Sequence, residues 1–144
     1  MKSKIPTALL IATIVTTSFL TSCQPPKPAA LSNDQVVQVV DNTLRAIDAG
    51  DYQSFTQDFS EDLKNAIDEA KFTSLADMLL KASGKYISCA GSEPALSNKQ
   101  GYALYRLACK YELESVMVTM TFKVDGDHVE GLFFDSTNLR KASQ

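Results

Sequence analysis

The sequence predicts an α+β domain in which helices come first and an antiparallel sheet follows. Three observations carry this. Apolar residues recur at helical spacing from Val36 to Leu80. The period then changes to two after Gly84. The dipeptide Asp125-Gly126, between two alternating apolar runs, is a hairpin turn signal. A domain of this order packs its helices on the apolar face of the sheet.

The first helix opens at a capping box. Ser32 stands three residues before Gln35, and Leu31 and Val36 occupy the flanking staple positions. Val36, Val37, Val40, Leu44 and Ile47 then follow at helical spacing, and Gly50 terminates the helix as a left-handed cap. Asp51 can cap a short second helix through Tyr52 and Phe55. Ser60 can cap a third, with Glu61 and Asp62 in its first turn and Leu63, Ala66, Ile67 and Ala70 as its apolar stripe. A further helix carries Phe72, Leu75, Ala76, Leu79 and Leu80, and closes at Gly84.

Four strands are expected, over Tyr86–Ala90, Tyr102–Leu113, Val116–Val124 and His128–Phe134. A two-residue turn at Asp125-Gly126 sets Phe122 opposite Val129, Met120 opposite Gly131 and Val118 opposite Phe133. A tight turn at Glu114-Ser115 sets Leu113 opposite Val116 and Tyr111 opposite Val118. Both registers place Val116, Val118, Met120 and Phe122 on the inward face. Thr119 and Thr121 point outward, and Met117, Leu132 and Phe134 share that parity. An outward apolar patch of this kind suits a homodimer or a protein partner.

The N-terminus reads as an export leader. Lys2 and Lys4 form a basic start, Ile5 to Leu20 is uncharged and mostly apolar, and small residues precede Cys23. The apolar run is 16 residues with Pro6 inside it. A spanning helix needs about 20 apolar residues. Leu20-Thr21-Ser22-Cys23 resembles the lipobox of bacterial lipoproteins. That resemblance implies cleavage before Cys23 and a diacylglyceryl thioether on its sulfur, making the membrane a partner of the mature chain. Gln24 is not Asp, which in the same resemblance implies the outer membrane, on its periplasmic side, for a diderm host, and the outer face of the cell membrane otherwise. The segment after Cys23 holds Pro25, Pro26 and Pro28 and reads as an extended tether. The expected organisation is a leader over 1–22, a tether over 23–31, the domain over 32–136 and a tail over 137–144.

Removing the leader takes away two lysines and no acid, so the 14 cationic and 17 acidic side chains of the full chain become a net charge of −5. There is no basic run and no aromatic–basic interleaving, which argues against a nucleic-acid partner. An exported domain meets an oxidising compartment, where paired cysteines are usually bridged. Pairing the first strand with the second so that Ile87 faces Tyr111 brings Cys89 opposite Cys109, both inward. The expectation is a disulfide; two buried thiols are the alternative. The spacing is not Cys-x-x-Cys, so redox catalysis is not expected.

The segments Gly50-Asp51-Tyr52, Phe55, Asp58-Phe59-Ser60, Gly84-Lys85-Tyr86 and Gly131-Leu132-Phe133-Phe134, set in this helix-then-sheet order, resemble a bacterial domain family of unknown function found on exported and lipid-anchored proteins. The plan as a whole resembles the nuclear transport factor 2-like, or cystatin-like, superfamily. The resemblance covers about residues 33–135, except the stretch Glu93–Gln100 and the two cysteines. It implies N-terminal helices on a curved antiparallel sheet of about four strands, a cone with a pocket inside. It does not imply a reaction.

Tyr86, Tyr105, Tyr111, Met120, Phe122 and Phe133 are the candidate pocket-lining residues. None of the inward strand positions is acidic, basic or His, so a general base would have to come from a helix or strand end such as Asp58 or Asp135. His128 is the single histidine and sits on polar parity beside the hairpin. No catalytic residue, metal ligand or cofactor site is therefore expected. The function expected is a non-catalytic binding module for a small apolar ligand or a protein partner. The alternative is a small hydrolase or isomerase using a pocket acid.

Overall fold

The computed structural model describes residues 31–90, 96–97 and 100–142. The leader, Cys23, residues 23–30 of the tether and most of the stretch Glu93–Gln100 lie outside the described residues. The chain is α+β, with helices in its N-terminal part and an open antiparallel sheet after them. The arrangement is consistent with the nuclear transport factor 2-like plan.

Helix α1 spans Asn33–Ala49. Its capping box forms: the Gln35 amide donates to Ser32 Oγ, and the Ser32 amide donates to Gln35 Oε1 at 2.9 Å. Val36, Val40, Leu44 and Ile47 are buried along one stripe, and Gly50 ends the helix at φ 67°. Asp51 caps α2 (Tyr52–Thr56) and Ser60 caps α3 (Glu61–Ala66).

The expected stripe from Leu63 to Ala70 is not one helix. The helix stops at Ile67, and Asp68 caps a new one, α4 (Glu69–Ser83), by accepting the Lys71 amide at 2.8 Å. The Asp68 carboxylate offers the backbone a local bond in place of helix continuation. Ala66 and Ala70 are exposed as a result. At Gly84 a Cβ would stand 2.8 Å from Glu112 Cβ, and φ is 78°, so the close of α4 admits only glycine.

The strands are β1 (Tyr86–Cys89), β2 (Leu96–Ser97), β3 (Tyr102–Tyr111), β4 (Ser115–Lys123) and β5 (Val129–Asp135). They form an antiparallel sheet in the order β1-β3-β4-β5, with β2 also paired to β3. Inward and outward alternation along β3 and β4 is as the sequence requires, but three registers differ.

Between β3 and β4 the pairing is Cys109 with Val116 and Leu107 with Val118, four residues away from a tight turn at Glu114-Ser115. The turn is just as tight but lies two residues earlier, at Glu112-Leu113, where the Tyr111 amide donates to the Glu114 carbonyl at 2.9 Å. The Glu112 and Leu113 amides donate to the carbonyls of Lys85 and Ser83. An even shift preserves parity, so the faces survive, but Leu113 sits in the turn and is 65% exposed instead of inward.

Along β5, Phe122 faces Val129 as expected, but Thr121 then faces Gly131. Glu130 is the extra residue of a β-bulge, and the strand beyond it is turned over. Phe133 therefore points outward and is 63% exposed, while Leu132 and Phe134 pack against the core. This corrects the assignment of Phe133 to a pocket and of Leu132 and Phe134 to the open face. The bulge leaves one large apolar side chain outside where the regular register would leave two.

A second bulge in β1 sets Tyr86, not Ile87, against Tyr111. The Tyr86 amide donates to Asp48 Oδ2 at 2.8 Å, which fixes the strand's start, and Ile87 is turned out. Cys89 still pairs with Cys109, and the two form a disulfide.

The expected tail is partly helical. Helix α5 spans Thr137–Ala142 and buries Leu139. Ser136 Oγ accepts the Leu139 amide at 3.1 Å, a capping contact at the start of the helix. Phe55, Phe59, Phe72 and Leu79 from the helices close over Tyr105, Leu107, Val118, Met120 and Phe122 to complete the core.

Candidate binding surfaces

Of the residues expected to line a pocket, Tyr86, Tyr105, Tyr111, Met120 and Phe122 are brought together on the inner face, and all are buried. They fill the space between sheet and helices. Tyr105 meets Phe122 edge-on at 5.6 Å, and Tyr86 meets Tyr111 at the same distance. Phe133 lies on the opposite side of the sheet.

The tyrosine hydroxyls serve as internal ties. Tyr105 donates to the Leu31 carbonyl at 2.8 Å, holding the start of α1 to the middle of the sheet. Tyr86 donates to Asp41 Oδ1 at 2.8 Å, and Arg45 holds that carboxylate from α1 through Nε at 2.7 Å. Burial opposes ionisation of Asp41, but the bonds from Arg45 and Tyr86 outweigh it and keep its pKa below the ordinary carboxylate value. Burial, then the Asp41 bond, pushes the Tyr86 phenol far up. Burial also raises Asp48 and Tyr111. Asp41, Arg45 and Asp48 were not singled out in the sequence. Their spacing of four and three places them on one polar edge of α1, which was the available signal.

Glu114 makes a second cluster. Its Oε1 accepts from Ser83 Oγ at 2.7 Å and Ser136 Oγ at 2.6 Å, and Oε2 accepts the Asn138 amide. Burial acts against the charge, yet these bonds prevail and lower its pKa. One carboxylate thereby joins the β3–β4 turn, the end of α4 and the start of α5.

The acids considered as general bases are differently placed. Asp135 is gripped by Arg140 through Nε and Nη2 at 2.6 and 2.7 Å, which lowers its pKa. Asp58 sits after α2, where its carbonyl accepts the Val129 amide. His128 is exposed and bonded to its neighbour Asp127. Among the described residues no group of three His, Cys, Asp or Glu side chains could hold a metal.

Among the described residues, two of the grooves outside the core carry apolar surface between packed elements. One, of about 760 Å3, runs between α4 and α5. Met78, Ala82 and Leu113 supply its apolar surface, and Asp77, Lys81, Asn138 and Lys141 its polar rim. The other, of about 490 Å3, lies on the outward face of the sheet, between Leu104 and Arg106 on β3, Met117, Thr119 and Thr121 on β4, and Phe133 and Asp135 on β5.

Residues 40–131 match the model of a protein family described as "Protein of unknown function (DUF3887)". The chain belongs to this family. The match runs from the second half of α1 to β5 and so includes the buried tyrosines, the disulfide and the bulged strand. No curated protein is similar enough to the chain to count as a match.

Proposed function

We propose that this DUF3887 protein is a lipid-anchored, extracytoplasmic binding module of the nuclear transport factor 2-like superfamily, and that it takes a small apolar ligand between α4 and α5. The groove there carries the reading. Its volume of about 760 Å3 lies within the range of ligand sites, and its apolar surface is edged by a few polar groups. The inner face of the sheet offers a ligand less, because its tyrosines and phenylalanines already pack on each other.

The anchor rests on Leu20-Thr21-Ser22-Cys23 and on the order of the leader before it. The Cys89–Cys109 bridge suits an oxidising compartment outside the cytoplasm. The expected membrane is the outer one, on its periplasmic side, in a diderm host, and the outer face of the cell membrane in any other.

Two measurements test this. Growth with a palmitate analogue should label the full chain, and Cys23→Ser should abolish the label; an unlabelled parent chain would sink the anchor. Nile red, a neutral apolar dye, should bind saturably, and Leu113→Asp should weaken it about tenfold, since a leucine contact is replaced by a charge. Equal binding by parent and variant would remove the groove as the site.

A further inference from the structure

We infer that the groove between α4 and α5 takes a single-chain amphiphile with an anionic head, its chain on Met78, Ala82 and Leu113 and its head at Lys81 and Lys141. The inference rests on the reading of that groove as a ligand site and adds the chemical class of the ligand.

Helical spacing arranges the walls. On α4, Asp77 and Lys81 are four residues apart, and so are Met78 and Ala82. Residues four apart stand one above the other, so α4 presents a polar column beside an apolar one. On α5, Asn138 is three residues from Lys141 and four from Ala142, which puts all three on one face. Leu113, from the β3–β4 turn, completes the apolar surface. Each helical wall is therefore amphipathic, with charge beside apolar surface.

The apolar part suits an aliphatic chain. Among the described residues no aromatic side chain lines the groove, so a planar ring would find nothing to stack on. Met78 is unbranched and conforms to an irregular partner, while Ala82 and Ala142 leave room beside it. The apolar column of α4 is one side chain wide, which matches one chain and not two.

Charge decides the head. Lys81 and Lys141 come one from each helix, against the single acid Asp77. Two cations less one acid leave the rim positive by one, on a chain whose own net charge is −3. Each lysine stands in the last turn of its helix, where a cation suits the dipole. The dipole accounts for each lysine separately, but not for two last turns that converge on one apolar groove. Among the described residues neither lysine is in an ion pair, whereas Arg45, Lys64, Lys123 and Arg140 each hold a carboxylate. Lys141 feels the charge of Glu114, but that carboxylate is taken up by Ser83, Ser136 and Asn138. An entering anion would meet two ammonium groups with no carboxylate to displace. A cationic head would be repelled.

The test uses the full chain in vesicles of phosphatidylcholine, a lipid of no net charge. The probe is laurate with a diazirine on its chain, and the control probe carries the same chain on a trimethylammonium head. Irradiation followed by peptide mass spectrometry locates and counts the adducts. Laurate should label residues 77–82, 113 or 138–142 saturably. Lys81→Gln with Lys141→Gln should lower that yield about fivefold and should not lower the yield of the ammonium probe. Lys81→Arg with Lys141→Arg should keep it. Lys64→Gln with Lys123→Gln makes the same change of net charge on α3 and β4 and should leave it as it is. Asp77→Asn should raise it about twofold. Acetate, the head without the chain, should not compete. The inference is overturned if the Lys81 and Lys141 glutamine pair keeps the laurate yield, if the Lys64 and Lys123 pair lowers it as far, if the ammonium probe behaves as laurate does, or if acetate competes as well as unlabelled laurate. Nile red separates this inference from the reading beneath it. If the dye binds and Leu113→Asp weakens it while laurate labels nothing in the groove, the anionic class is overturned and the groove stands. If neither binds there, both fall.

Discussion

The two faces of the sheet are built from the same strands and behave in opposite ways. The inner face is closed. Tyr105, Leu107, Val118, Met120 and Phe122 are buried under the helices, and the hydroxyls of Tyr105 and Tyr86 tie elements together. The outer face is open, with threonines along its centre, a groove beside them and a phenylalanine standing free of the core. A side chain's neighbour in sequence is thus a poor guide to its energetic weight. Phe133 and Phe134 are adjacent, and one residue of bulge decides which of them the core receives.

The comparison breaks most sharply by mutation on the inner face. Phe122→Ala should lower the unfolding free energy by about 3–5 kcal/mol, read from urea titration, because the cavity it leaves cannot collapse among β-strands. Reducing the Cys89–Cys109 bridge comes next. It closes a separation of 20 residues, and its loss should cost about 3 kcal/mol, seen as a lower urea midpoint with dithiothreitol present. Glu114→Ala should cost about 1–3 kcal/mol, since it strips the acceptor from the buried Ser83 and Ser136 hydroxyls. Phe133→Ala should change the stability of the single copy by less than about 0.5 kcal/mol. A loss as large as that of Phe122→Ala would mean that the outer face is covered by its own chain.

Acidity sharpens the same contrast. Glu114 has a folded pKa held below its ordinary 4.5. Its contribution is therefore complete above that ordinary value and is lost as pH falls through the folded one. Glu114→Gln should flatten the loss of stability as pH falls below the ordinary 4.5, leaving the slopes due to Asp41 and Asp135. An unchanged acid profile would show that the carboxylate is not the clasp of α4 and α5.

The faces of the sheet were legible in the sequence because parity survives any even slip. The β3–β4 register is four residues from the expected one, yet Val116, Val118, Met120 and Phe122 are all inside. An odd slip is another matter. A bulge inserts one residue at no visible cost in composition, and neither Glu130 nor Ile87 differs from an ordinary strand residue. The Cys89–Cys109 pair was legible despite the bulge before it, because both cysteines lie beyond the irregularity. The caps at Ser32, Asp51 and Ser60 were legible as local chemistry. The α4–α5 groove was not, since it depends on α5 folding back through Glu114, a contact across 22 residues to Ser136. The polar edge of α1 was missed because Asp41 and Asp48 gain their meaning only when Tyr86 arrives from β1.

The bond from Tyr105 to the Leu31 carbonyl has a mechanical consequence. Leu31 precedes the cap of α1, so tension on the chain before it would ordinarily unwind that helix from its end. Here the load passes instead into a buried phenol on β3, a strand braced on both sides by its neighbours. The chain's entry into the domain and a strand paired on both sides are thus one joint. A pull from the N-terminal side would swing the whole domain as a rigid body before it peeled the first turn.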